Sequence, residues 1–432
     1  MAKERSYFEC QKCGTQYSKW QGQCNECGNW NTLESVDVNL NESKFNSNSV
    51  SEPIKIGDII YKEQDRIKTE LLEFDRVLGG GFVKGQSILL SGEPGIGKST
   101  LLLQVANSIK LPVYYVCGEE SSYQVKQRYQ RLQLTKKDLF LLDNTFVETI
   151  EASLSKHNNF LLIADSVSSL FSSKYRSSAG SISQIKETSQ ILVKFAKRLN
   201  IPLILVGQIN KEGEIAGPKT LEHLVDSVLL LQGDDHHAFR VLRSSKNRFG
   251  SVNEVGLFNM EESGMIAVTE PSKYLLSGRV KNAPGSAVCI INEGTRSYAI
   301  EVQALVNKTV FGFPKRTSNG FNLNRLNLLA AVVSKRTSVN LHDYDVYMNI
   351  ASGLKISEPA VDLAACMSMI SAFKSKPLPS DAAFFGEIGL SGEIRPVRME
   401  NIRKKEAKNM GLKTLYEPSK FRTLKDVMLD VF

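Results

Sequence analysis

The chain has 432 residues, 42% of them hydrophobic and 23% charged. That balance fits two to four globular domains at roughly 100–200 residues each and excludes collagen-like, largely disordered and disulfide-scaffold architectures. Lys and Arg outnumber Asp and Glu by 54 to 46, a net charge of +8 that permits an anionic partner such as nucleic acid without requiring one. No run approaches the roughly 18 apolar residues of a membrane span, and the opening MAKERSYFEC lacks the apolar core of a secretion signal, so the expectation is a cytoplasmic protein with no membrane partner.

Four of the seven cysteines fall in the first 27 residues, as Cys10-Gln-Lys-Cys13, ten intervening residues, and Cys24-Asn-Glu-Cys27. Two Cys-x-x-Cys knuckles bring four thiolates around one tetrahedral Zn2+. Gly14 and Gly28 follow the second cysteine of each knuckle, where the chain turns tightly beneath the metal. So short a module buries too little apolar surface to fold alone; metal binding, worth about 10–16 kcal/mol in zinc-finger peptides, supplies the difference. Two disulfides are the alternative, disfavoured in a reducing cytosol. A closed four-sulfur site leaves no position for catalysis, and whether the ribbon also touches a partner stays open. Residues 1–34 are thus read as a zinc ribbon, and 35–55, rich in Ser, Asn and Val, as a flexible linker. The other cysteines, Cys117, Cys289 and Cys366, sit in apolar runs and read as buried structural thiols.

The strongest signal is Gly92-Glu93-Pro94-Gly95-Ile96-Gly97-Lys98-Ser99, a full match to G-x-x-x-x-G-K-[ST]. A short apolar strand from Ser87 precedes it, and Thr100 continues into a helix. The glycines let backbone N–H groups wrap a phosphate at the helix N-terminus. Lys98 is set to bridge the β- and γ-phosphates of ATP, and Ser99 to hold Mg2+. Residues 112–117 predict a buried parallel strand running into Gly118-Glu119-Glu120-Ser121. An acid at that strand end is placed to polarise the attacking water, the role given to Glu119. The same cluster also suits a helix N-cap, through Glu120 or Ser121. Phe160-Leu-Leu-Ile-Ala-Asp165 predicts the strand whose Asp165 orders the magnesium water shell. Residues 202–208 predict another, its tip Gln208 serving as a γ-phosphate sensor or as a plain strand-end amide. Between these two strands, Ile182, Ile185, Leu192, Phe195 and Leu199 fall on one helical face. The alternation from 72 to about 232 predicts a doubly wound, mainly parallel α/β sheet.

This order of P-loop, Glu-tipped strand, Asp-tipped strand and Gln-tipped strand resembles the RecA-like ATPases. Sharper phrases are Leu78-Gly-Gly-Gly81-Phe82, Cys117-Gly-Glu-Glu-Ser121, Lys211-Glu-Gly-Glu-Ile-Ala-Gly-Pro218, Leu221-Glu-His-Leu-Val-Asp226 and Lys246-Asn-Arg-Phe-Gly250. With the ribbon, they resemble the bacterial RadA (Sms) family of DNA repair proteins over almost the entire chain. The resemblance implies a hexameric ATPase, similar to DnaB-type helicases, acting on single-stranded and branched recombination DNA beside the recombinase RecA. It implies sites between subunits, with Lys246 and Arg248 completing the neighbour's γ-phosphate clamp; a solvated turn is the bland alternative. It also implies two DNA loops, 171–181 with Lys174, Tyr175 and Arg176, and 211–219, flanked by Lys211 and Lys219; plain solvent loops are the alternative. Family members usually carry His where this chain has Gln208, and Gln suits a RecA-type switch equally well.

The ATPase region is read as 56–271, and the pattern changes from 272 to 432. Apolar runs at 288–291, 298–305 and 345–350 predict strands, and those at 325–333 and 360–367 predict buried helices. This third resembles the proteolytic domain of Lon proteases, through Glu301-Val-Gln-Ala-Leu305, Glu358-Pro-Ala-Val-Asp-Leu-Ala and Gly386-Glu-Ile-Gly-Leu-Ser-Gly-Glu-Ile-Arg395. The resemblance puts Ala360 where Lon has its serine and Arg403 where it has its lysine, so neither nucleophile nor base is present and no peptide hydrolysis is expected. Residues 1–271 carry 31 basic and 32 acidic groups, residues 272–432 carry 23 and 14. The positive excess thus falls on this last domain, part of it at Arg403, Lys404, Lys405, Lys408 and Lys413, read either as a DNA-tracking surface or as a solvated helix face. The leading function is an ATP-driven DNA motor for branch migration. A KaiC-like signalling ATPase, a Lon-like protease and a non-enzymatic DNA scaffold are the competing readings.

Overall fold

The computed structural model describes residues 5–10, 12, 15–38, 55–56, 66–174, 177–208, 220–233, 239–310, 312–351 and 356–432. The chain divides into two compact units between Ala267 and Val268. Among the described residues, no helix is long and apolar enough to cross a membrane.

The N-terminal ribbon is a small antiparallel sheet in which β1 (Arg5–Cys10) lies between β2 (Gln16–Tyr17) and β3 (Leu33–Val38). Its core is Cys10, Cys24 and Leu33, with Phe8, Tyr17 and Cys27 packed against them. Three sulfurs in a core this small leave the metal to do what apolar area cannot.

The rest of the first unit runs α1 (Leu72–Leu78), β4 (Ser87–Gly92), α2 (Lys98–Ser108), β5 (Val113–Cys117), α3 (Ser122–Arg131), β6 (Leu139–Leu142), α4 (Val147–Leu154), β7 (Leu161–Asp165), α5 (Ile182–Leu199), β8 (Leu203–Gln208), α6 (Thr220–Leu224), β9 (Ser227–Gly233), β10 (Phe239–Asn247), β11 (Val255–Glu261) and β12 (Gly264–Ala267). Among the described residues the sheet has nine strands in the order β12-β11-β10-β9-β4-β8-β7-β5-β6. Six, from β9 to β6, are mutually parallel, and β10 to β12 extend the sheet antiparallel.

Strand side chains alternate between faces, and each face buries a different set of helices. Ile88, Leu90, Tyr115, Leu161, Ile163, Ile204 and Val206 meet α1, α2 and α3; Leu89, Val116, Leu162, Ala164, Leu203 and Leu205 meet α4, α5 and α6. The stripe expected on α5 is there, with Ile182, Ile185, Leu192 and Phe195 buried and Leu199 packed against the same core. Ser181 caps the start of α5 by accepting from the Gln184 N–H, and Asn200 closes its end in the left-handed conformation.

The second unit contains α7 (Pro271–Leu275), β13 (Ser286–Glu293), β14 (Arg296–Lys308), β15 (Arg316–Asn319), α8 (Leu323–Arg336), β16 (Tyr344–Ile350), α9 (Asp362–Lys374), β17 (Ala382–Phe384), β18 (Glu387–Ile388), β19 (Ile394–Arg395), α10 (Glu400–Asn409), β20 (Thr414–Tyr416) and α11 (Leu424–Val431). Its main sheet has the order β13-β14-β16-β15. Helix α9 is buried continuously from Asp362 to Ser371, which explains an apolar run with no polar face.

Two arginines hold this core together. Arg325 grips Asp362, with Nε 3.1 Å from Oδ1, and donates to the Ile388 carbonyl at 2.9 Å. Arg403 is 0% exposed. Its guanidinium pairs with both carboxylate oxygens of Glu358 and donates to the carbonyls of Ile290 and Arg398. Arg403 therefore does not belong to the basic surface in which the sequence reading grouped it. The guanidinium is sequestered because Glu358 and two carbonyls satisfy it inside the fold. Lys405, Lys408 and Lys413 are exposed.

Truncating Glu358 would leave a buried cation with carbonyls alone. Glu358→Ala is expected to cost about 3 kcal/mol and to lower the melting temperature of the full chain. A variant that melts with the wild type would show that the carbonyl contacts suffice.

Candidate nucleotide site and metal centre

Strand β4 ends at Gly92, the chain turns through residues 93–97, and α2 begins at Lys98. Two positions in this turn accept only glycine. A Cβ on Gly92 would lie 2.5 Å from the Leu231 carbonyl oxygen on β9. Gly97 has φ +109°, and its Cβ would lie 2.5 Å from the Met260 methyl. The turn thus presses against the antiparallel extension of the sheet, where Arg240 Nε also donates to the Ile96 carbonyl at 3.2 Å. Lys98 is 9% exposed, and its Nζ donates to the carbonyls of Gly92 (2.8 Å) and Glu93 (2.9 Å). Burial holds its pKa below the usual lysine range, with Asp165 and Glu119 opposing.

Parallel register aligns the strand ends. Gly92 sits opposite Gln208, and Cys117 opposite Asp165. Asp165 receives hydrogen bonds from the Ser99 hydroxyl and from Tyr115, whose Oη lies 2.5 Å from Oδ2. Burial raises the Asp165 pKa, against the pull of these two donors. The two glutamates after β5 divide. Glu119 accepts from the hydroxyls of Ser166 and Ser168, and Glu120 is clamped by both terminal nitrogens of Arg128 at 2.5 and 2.6 Å. The cap of α3 is Ser121, in a reciprocal capping box with Gln124, so Glu120 does not cap that helix. Ser99, Tyr115, Cys117, Glu119, Glu120, Val125 and Asp165 line a cavity of about 30 Å³. A hydroxyl, a carboxylate and a lysine converging on a glycine turn fit Mg2+ and the phosphates of ATP, with Ser99 and Asp165 as the metal's side. The side chain of Gln208 lies outside the described residues.

Lys246 and Arg248 lie elsewhere. Asp226 accepts from the N–H and hydroxyl of Ser87 at 3.0 and 2.7 Å, at the beginning of β4. Arg248 Nη1 lies 3.5 Å from Asp226 Oδ1, and Lys246 Nζ donates to the carbonyls of Glu222 (2.6 Å) and Val225 (2.8 Å). Burial would raise the Asp226 pKa, but the Ser87 hydrogen bonds and the Lys197 charge outweigh it and leave the pKa below the usual value. Ser87 and Gly92 are opposite ends of one strand, roughly 17 Å apart at about 3.3 Å per residue. The structure does not bring Lys246 or Arg248 to the P-loop of their own chain. Arg248 is 56% exposed. Of the expected DNA-loop residues, Lys174 pairs with Glu187 at 3.3 Å, and Arg176, Lys211 and Lys219 lie outside the described residues.

In the ribbon, the sulfurs of Cys10, Cys24 and Cys27 all lie within 4.8 Å of one another; Cys13 lies outside the described residues. Polar groups surround the sulfurs: Thr32 Oγ1 is 3.1 Å from Cys10, Tyr17 Oη 3.2 Å from Cys24 and Asn29 Nδ2 3.4 Å from Cys27. Hydroxyl and amide donors around clustered thiolates suit Zn2+. Chelation is expected to expose the ribbon thiols to a thiol reagent, with the buried Cys117, Cys289 and Cys366 staying protected. Equal reactivity before and after chelation would contradict a bound metal.

Residues 8–35 match a family model described as a rubredoxin metal binding domain, and residues 67–144 match an ATPase model described as KaiC. Among solved structures, the RadB recombinase (25% identity, TM-score 0.38) and a KaiC-like protein of Pyrococcus horikoshii (21%, TM-score 0.39) each match 47% of this chain, and 99% and 98% of their own. The DNA repair protein RadA of Bacillus subtilis is 43% identical over 97% of this chain and 93% of its own length. That of Aquifex aeolicus is 43% identical over 97% and 94%. Likeness at this level over nearly the whole length, on a RecA-like ATPase core that takes ATP and Mg2+ behind a zinc ribbon, shows that the chain belongs to the family of the bacterial DNA repair protein RadA.

Proposed function

We propose that the chain is an ATP-driven motor of DNA repair and recombination, binding single strands and moving the branch point of recombination intermediates as a ring of identical subunits, six by family resemblance. The observation that carries the ring is the separation of Arg248 from its own P-loop. An exposed arginine anchored at the far end of β4 by Asp226 does not reach the nucleotide turn of its own chain and is available to that of a neighbouring subunit. In that arrangement Lys98 bridges the phosphates, Ser99 and Asp165 hold the metal, Glu119 activates water, and Arg248 with Lys246 stabilises charge in trans.

Lys246 has a second connection. Its ammonium caps the carbonyls of Glu222 and Val225 around α6, directly after the 211–219 segment read as a DNA loop. A lysine drawn toward a neighbour's γ-phosphate would release that helix, which supports coupling between nucleotide and DNA. Exposed Lys405, Lys408 and Lys413 support phosphate tracking by the C-terminal unit, and Ala360 and Arg403 support its lack of peptide hydrolysis. In this reading the protein works in the cytoplasm, and RecA is its partner. The match to a KaiC ATPase model favours one competitor, a signalling ATPase indifferent to DNA; strand displacement on a forked substrate separates the two.

Lys98→Ala is expected to abolish ATP hydrolysis and strand displacement and to leave the fold intact. Arg248→Ala is expected to lower turnover by about 10³-fold or more. Mixing the two inactive variants is expected to restore part of the activity, because each supplies what its neighbour lacks. Mixtures that stay inactive, although both variants assemble, would remove Arg248 from the site.

A further inference from the structure

Tyr115 is 1% exposed, in the middle of β5, where it pairs with Leu141 on one side and Ile163 on the other. Its ring faces the side of the sheet covered by α2 and α3, among Leu101, Leu102, Val125 and Ile163. Phenylalanine would fill that space equally well. A buried hydroxyl adds nothing to apolar packing and costs desolvation unless it is hydrogen-bonded, so the oxygen calls for a purpose of its own.

Its partner identifies that purpose. Tyr115 lies opposite Ile163 in the register, two residues before Asp165. Since strand side chains alternate, Tyr115, Ile163 and Asp165 share one face. The phenol reaches along the neighbouring strand and donates to Asp165 Oδ2 at 2.5 Å, and the Ser99 hydroxyl bonds the same carboxylate. The carboxylate is therefore held between a residue of the P-loop helix and a residue of the core. Tyr115, Ser99, Glu119 and Asp165 line one small cavity together. The other charged groups nearby are anchored elsewhere: Lys98 on the Gly92 and Glu93 carbonyls, Glu119 on Ser166, and Arg128 on Glu120.

We infer that Tyr115 is the positioning residue of the magnesium site: its buried phenol fixes the rotamer of Asp165 and so presents the carboxylate, with Ser99, to the metal. This deepens the ATPase reading and rests on it. In this proposal Tyr115 acts through Asp165, as residues behind a metal-binding group commonly do.

The test is Tyr115→Phe in the full chain, read by manganese binding to the complex with a non-hydrolysable ATP analogue, followed by electron paramagnetic resonance. Removing one hydrogen bond to a charged group is expected to weaken the metal about tenfold. Analogue binding in a metal chelator and the melting temperature should stay near wild type, and turnover should recover at high Mg2+. In an Asp165→Asn background the same substitution should have no further effect on metal affinity. Wild-type metal affinity in Tyr115→Phe would overturn the inference, as would an equal loss in the Asp165→Asn background, which would mean that Tyr115 acts through packing. Binding of manganese and analogue by the wild type is the separate check on the ATPase reading itself.

Discussion

Parallel pairing of β4 with β8, and of β5 with β7, sets Gly92 against Gln208 and Cys117 against Asp165. The strand-end groups of the nucleotide site follow from that register. A one-residue slip in β7 would turn Asp165 to the opposite face, toward the core under α4 and α5. Strands buried on both faces resist such a slip, because each exchanges a complete set of side chains between two cores. The strand tips of the site are therefore held in place by the two cores.

The same strand separates two tasks. Its carboxyl end carries the phosphate turn. Its amino end carries Ser87, which with Lys197 and Arg248 surrounds Asp226. A carboxylate held ionised by hydrogen bonds and cations is a firm anchor for an arginine that must stay exposed. Lys246, beside it, is tied to carbonyls around α6. One end of β4 carries the phosphate turn, and the other carries the cluster of Asp226 with Lys197 and Arg248. In the second unit, burial of charge has a different use. Arg403 and Glu358 pair inside the fold, and the pair serves the core.

Much of the site was legible because its residues are dictated by backbone geometry. Glycines at 92 and 97, a lysine at a helix start, and acids at strand ends are linear signals, and the strand assignments around them follow from apolar runs bounded by polar tips. The antiparallel extension β10–β12 was not foreseen: of its strands of 9, 7 and 4 residues, only the end of β10 falls in a quoted phrase, Lys246-Asn-Arg-Phe-Gly250. The division of labour between Glu119 and Glu120 depends on Arg128, one helix away. The burial of Arg403 depends on Glu358, 45 residues upstream, and its neighbouring lysines disguised it as a surface charge. Tyr115 did leave a trace. A buried tyrosine must find a partner for its oxygen, and the adjoining strand ends in a carboxylate.

If hydrolysis at this site is coupled to DNA, the steady-state rate of ATP hydrolysis of the full chain at saturating Mg2+ is expected to rise when single-stranded DNA is added, and to lose that rise as salt is added, because phosphate contacts are screened. A rate indifferent to DNA at every salt concentration, with nucleotide binding intact, would contradict that coupling.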